Sequence, residues 1–175
     1  TAQCVIGFKP NLGAGMFECS HRPSLYNFQN TITRRAEEHH SNLSQRWRIL
    51  TADKSVWNGP AAALKEFLIY DRYPKCSGLL YALDPSATFQ NFKTQNLPEV
   101  VPAMGAYEWK TKESPEAFEI LFRRKTDRIN FQKSVVISKL DSILSVSASL
   151  EPAEAGFRAV LGAGLELFFG SFDSL

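Results

Sequence analysis

The sequence predicts a mixed α+β fold, a single domain over residues 1–175 with an antiparallel sheet and two to three helices. Three observations predict it. Asn58-Gly59-Pro60 before Ala61-Ala62-Ala63-Leu64, and Asp84-Pro85 before Phe89 and Phe92, are capped helix starts. At each, a short polar residue meets unpaired N–H groups, and proline occupies a position whose N–H has no helical partner. Between them, Leu79-Leu80-Tyr81-Ala82-Leu83 reads as a buried strand, and residues after Ala106 lean towards apolar–polar alternation.

Taken in order, Cys4-Val5-Ile6-Gly7-Phe8 is a short apolar strand, Asn11-Leu12-Gly13-Ala14-Gly15 a glycine turn, and Met16-Phe17-Glu18-Cys19 the return strand. From Ser24, apolar residues at Leu25, Phe28, Ile32 and Ala36 recur every three or four positions and predict an amphipathic helix ending near His40. Gln45 to Thr51 is assigned to a strand on the alternation around Trp47 and Ile49. The two capped helices then run from Asn58 to Arg72 and from Asp84 to Asn96, stopped by Tyr73-Pro74 and Leu97-Pro98.

Pro98 and Pro102 bracket Glu99-Val100-Val101, the expected position of any internal joint. Tyr107 and Trp109, then Phe118, Ile120 and Phe122, predict two strands joined through Lys112-Glu113-Ser114-Pro115; the competing reading starts a helix at Ser114-Pro115-Glu116. Leu144 to Leu150 alternates strictly and predicts a half-buried strand. Phe157 to Phe172, interrupted by Gly162, Gly164 and Gly170, predicts a bulged strand pair, because each glycine inside a helix would cost about 1 kcal/mol relative to alanine.

The 44% hydrophobic and 22% charged residues exclude a disordered chain, and the sequence contains no apolar run of the roughly 20 residues that a spanning helix needs. A net charge of +2 gives no field for nucleic acid. The basic and aromatic cluster Arg123-Arg124-Lys125, Arg128 and Lys133 with Phe122 and Phe131 is offset by Glu113, Glu116, Glu119 and Asp127, so a solvated face with local ion pairs is expected. Cys4, Cys19 and Cys76 are too few and too far apart for a disulfide framework; reduced thiols are expected, with one Cys4–Cys19 bridge as the alternative.

The search for chemistry returns little. Glu37-Glu38-His39-His40 carries one Glu-x-x-His where a di-iron site needs two, and Cys19-Ser20-His21 with Cys4 lacks the close pairs of structural zinc. Gly13-x-Gly15 is followed by Glu18 where a dinucleotide fingerprint has its third glycine; the P-loop and Gly-x-Ser-x-Gly patterns are absent. No catalytic residue, metal or cofactor is therefore expected. Phe168, Phe169 and Phe172 crowd both faces of any strand and need a cover, either the domain's own core or a partner; they are the expected partner-contact residues.

Arg46-Trp47-Arg48-Ile49-Leu50, the helix through Phe67 and the run Leu79 to Pro85 form a strand, helix, strand layout that resembles small tail proteins of long-tailed phages, which implies a virion component. The leading expectation is a non-catalytic structural or linker subunit of a multi-protein assembly, of the organellar photosynthetic or respiratory kind. Its partners would be other protein subunits, with peripheral membrane contact and no span. A start at Thr1 without a recognisable signal or transit pattern fits either trimmed ends or removal of a leader, the second being the expectation for an organellar protein. The rival is an enzyme or small-ligand-binding domain with an apolar pocket near Trp109, Phe122 or Phe157.

Overall fold

Strand β1 (Cys4–Lys9) turns through Asn11–Gly15 into β2 (Gly15–His21), and β3 (Tyr26–Asn27) completes a three-stranded antiparallel sheet. In this computed structural model, residues 3–37, 69–141 and 143–167 are described. Gly13 turns the hairpin at φ 70°, and its amide donates to the Gly105 carbonyl at 2.9 Å. A β-bulge between Gly7 and Phe8 breaks the register.

The second sheet is built on β4 (Leu79–Leu83), flanked by β5 (Glu99–Val101) and by β10 (Val160–Gly164), which arrives from far along the chain. The third is a meander: β6 (Glu108–Glu113), β7 (Ala117–Lys125), β8 (Ile129–Ser138) and β9 (Leu144–Pro152). Ser114 closes its first turn, its Oγ accepting from the Ala117 amide at 3.0 Å, so the hairpin forms and the competing helix does not. Along β8, Ile129, Phe131, Lys133 and Val135 alternate inwards. Ile129, Phe131 and Val135 join Phe122 of β7 in a core with Leu80, Ala82, Val101, Ala14 and Tyr107, while the Phe8 ring centroid lies 5.4 Å from that of Phe122.

The fold is therefore nearly all β, with 47% of the described residues in strands and 5% in helix, and the α+β expectation of two to three helices is corrected. The one helix among the described residues is α1 (Phe89–Thr94). It starts at Thr88 instead of Asp84, because Asp84 spends its carboxylate on a local turn, accepting from the Ser86 amide at 2.8 Å. Thr88 is held by Asn91, whose Oδ1 accepts from the Thr88 amide at 2.8 Å and hydroxyl at 2.7 Å. Gln95, left-handed at φ 59°, ends it after six residues.

The helical period from Ser24 fails for a similar reason. Asn27 accepts from the amides of Cys19 and Gln29 at 3.2 and 2.9 Å, turning the chain back on β2, and Leu25 takes a left-handed φ of 54°. Leu25 and Ile32, which a helix would have buried, are 92% and 85% exposed. Residues 58–68 of the other expected helix, and the strand from Gln45 to Thr51, lie outside the described residues; residues 69–72 are not helical. The strand pair expected beyond Phe157 is a single strand, β10, in its described part.

Candidate functional site

On β4, Leu80 and Ala82 point into the core, so Leu79, Tyr81 and Leu83 take the opposite face. Tyr81 pairs with Gly162 of β10, and Leu79 with Gly164. Neither glycine carries a side chain to fill the surface above Tyr81. A Cβ on Gly162 would meet Phe92 Cζ at 3.6 Å, and one on Gly164 would meet Tyr81 Cε2 at 3.3 Å. Helix α1 leans Phe92 against Tyr81 edge to face, centroids 6.0 Å apart at 76°. The result is a cleft of about 270 Å³ bounded by β4, β10, α1 and the segment from Asp71 to Cys76.

The opposite wall is polar. Lys75 Nζ lies 3.0 Å from Glu166 Oε2 and 4.0 Å from Asp71 Oδ1. Asp71 also accepts from Arg34, through the backbone amide at 2.7 Å and the guanidinium at 2.6 and 3.1 Å. Burial pushes the Asp71 carboxyl upwards, but the Arg34 hydrogen bonds and the Lys75 charge outweigh it and hold the group below the usual aspartate range. Burial, assisted by Cys76, Glu99 and Glu166, pushes the Tyr81 phenol up to about 12, so it stays neutral. Among the described residues the Tyr81 hydroxyl makes no hydrogen bond.

Glu166 is positioned from below. Ser77 Oγ donates to the Glu166 carbonyl at 2.7 Å, and Gln29 Nε2 donates to that carbonyl at 2.8 Å and to Ser77 Oγ at 3.0 Å. The cleft wall is thus tied to sheet β1-β2-β3. Glu99 is excluded from the cleft by its own partners: its carboxylate accepts from Tyr73 Oη at 2.5 Å and the Ala103 amide at 2.8 Å, and pairs with Arg72 at 3.1 Å. A second, wider groove of about 600 Å³ lies beside β5, where Arg124 and Arg128 face Asp84 and Asp127.

The residues singled out in the sequence are not those of the cleft. Phe168, Phe169 and Phe172, and His39 and His40, lie outside the described residues. Neither cleft reaches Trp109, Phe122 or Phe157. Cys4, Cys19 and Cys76 are free thiols, and burial, with Cys4 adding to it, pushes the Cys19 thiol up. His21 Nδ1 lies 2.8 Å from Ser24 Oγ, and among the described residues no three His, Cys, Asp or Glu side chains converge on a metal position.

The basic cluster is not a face of local ion pairs either. Arg124 donates to the Pro102 carbonyl at 2.7 Å and covers the Tyr107 and Phe131 rings, while Arg123 bonds Gln132 at 3.1 Å. Lys133 is buried, donating to the carbonyls of Ala14 and Gly78. The signal for the cleft in the sequence is the pair Gly162 and Gly164, which read there as strand irregularities and in the structure are the absent side chains above Tyr81.

A family model described as "Alpha-amylase/4-alpha-glucanotransferase, C-terminal" matches residues 1–173. No curated protein is matched. A crystal structure of 4-alpha-glucanotransferase from Thermococcus litoralis is similar at 16% identity and a TM-score of 0.49, over 79% of this chain and 22% of that one. This chain therefore spans less than a quarter of that protein's length. The family match overturns the expectation of a structural linker subunit in an organellar assembly, and with it the phage-tail reading, whose residues 46–68 lie outside the described part. Matched by one family model across nearly all its length, the chain belongs to the C-terminal family of alpha-amylases and 4-alpha-glucanotransferases.

Proposed function

We propose that this chain is the carboxy-terminal β domain of an enzyme that hydrolyses or transfers α-1,4-linked glucose units, and that it supports the reaction without carrying the catalytic carboxylates. The family match over residues 1–173 carries the reading. The geometry supports the division of labour. Glycoside chemistry needs two carboxyl groups flanking the bond, one of them able to give up a proton near neutral pH. Asp71 is held ionised by Arg34 and Lys75, Glu99 is enclosed by Tyr73, Arg72 and Ala103, and Glu166 is paired with Lys75. Each of the three is engaged by partners within the chain.

The natural protein that contains this sequence should convert maltopentaose into shorter products, or into shorter and longer ones, resolved by chromatography. The 175-residue chain by itself should not. An unchanged maltopentaose pool with the natural protein overturns the assignment to α-glucans, and turnover by the isolated chain overturns the supporting role.

A further inference from the structure

We infer that the cleft between Tyr81, Phe92 and the Lys75–Glu166 pair binds one glucose ring of an α-1,4-glucan. The inference rests on the proposed function for the choice of sugar, but the cleft itself argues for the class of ligand. Tyr81 and Phe92 meet edge to face and form an apolar corner, open because Gly162 and Gly164 leave it uncovered. Across from it stand an ammonium and a carboxylate 3.0 Å apart.

An anion or a cation gains little here, since Lys75 and Glu166 cancel each other's field. An apolar ligand would strip water from that pair and return nothing. A neutral molecule with one C–H face and a rim of hydroxyls satisfies both walls, and a pyranose has that form. Its hydroxyls can give to Glu166, whose second carboxylate oxygen makes no hydrogen bond among the described residues, and take from Lys75. They can also pair with the Tyr81 hydroxyl, kept neutral and without a hydrogen-bond partner among the described residues. The volume of about 270 Å³ is at the small end for ligand pockets, which suits a single ring at the end of a chain.

The floor is rigid: the Ser77 and Gln29 hydrogen bonds fix the Glu166 backbone, and Gly78 donates to the Gly164 carbonyl at 2.7 Å. Little ordering is therefore required of the protein when a ring enters.

Isothermal titration of the full 175-residue chain with maltotriose tests this, with cellotriose as the β-linked comparison. Binding of maltotriose with a Kd of about 0.1–1 mM is expected for a contact of this size. Cellotriose should bind at least about tenfold more weakly, because its β linkage sends the next ring off in a different direction from that of an α linkage. Gly162→Val places a side chain in the cleft from an edge strand that accepts β-branched residues, and should weaken maltotriose at least about tenfold. Tyr81→Phe keeps the ring and removes the hydroxyl, and should weaken it about three- to tenfold.

Unchanged thermal unfolding of both variants separates loss of the site from loss of the fold. Absence of maltotriose binding, equal binding of cellotriose, or full binding by folded Gly162→Val would each overturn the inference. If the natural protein converts maltopentaose while this chain binds no maltotriose, the cleft reading fails and the proposed function stands. Binding by this chain without turnover by the natural protein gives the reverse.

Discussion

Lys133 of β8 donates to the Gly78 carbonyl at 2.8 Å, placing an ammonium in the interior between the large sheet and the start of β4. Its other acceptor is the Ala14 carbonyl, and the Phe122 ring lies 5.5 Å away. Burial pulls Lys133 down from an ordinary 10.5 to about 8, opposed only by Cys76. Between those values the unfolded chain holds a proton that the folded one has released, so stability rises with pH across this window.

Lys133→Met should lose about 1–3 kcal/mol at pH 7, because two buried carbonyls lose their donor while a desolvated charge is removed. The gap to the parent should widen between pH 8 and 10, by at most about 3 kcal/mol. Urea unfolding of both proteins across that range measures it. A gap that narrows would mean that the two carbonyls stabilise the charged form.

Gly13→Ala should destabilise by about 2–4 kcal/mol, since Gly13 has φ 70° and an added Cβ would stand 2.6 Å from Leu79 Cδ2 and 2.9 Å from the Ala103 carbonyl oxygen. Gly156, at φ 80° with nothing within 4 Å, isolates the conformational part. Gly156→Ala should lose only about 1–2 kcal/mol in the same denaturant titration.

Asp71→Asn should lose about 1–3 kcal/mol at pH 7 by giving up charged hydrogen bonds from Arg34. The carboxyl lies below its unfolded value of 3.8, so its contribution is complete above that value and fades as pH falls through the lower folded value. Melting curves at pH 7 and pH 3 should show the two proteins drawing together in acid.

Tyr107 has the single buried side-chain polar atom without a hydrogen-bond partner among the described residues. Arg124 lies over the Tyr107 ring without meeting its hydroxyl in hydrogen-bond geometry, so Tyr107→Phe should change stability by less than about 1 kcal/mol, whereas Tyr73→Phe, which removes the 2.5 Å bond to Glu99, should lower it by about 1–2 kcal/mol. Equal losses for both would show that Tyr107 has a partner after all.

What the sequence made legible was local. The hairpin around Gly13, the strand Leu79–Leu83, the hairpin turning at Ser114 and the strand from Leu144 all follow from period-two patterns and turn residues within a few positions of each other. Strand β8 was hidden because Lys133 occupies an inward position in the alternation, and its burial depends on the carbonyls of Ala14 and Gly78, distant in sequence. The cleft was hidden for the same reason: Tyr81 faces two glycines only once β10 has paired with β4.

That pairing also bears on how the chain is made. A ribosome adding about 5–20 residues per second needs roughly 4–16 seconds to pass from Leu83 to Gly164. Until β10 is made, β4 can have only β5 beside it, and its other edge offers unpaired amides and carbonyls between leucines. The meander β6 to β9 is local and can assemble while synthesis continues. The ladder Val160–Gly164 can close on Leu79–Leu83 only after the meander has been made. A nascent chain halted before Val160 would carry a sticky strand edge, a natural substrate for chaperones and a seed for aggregation.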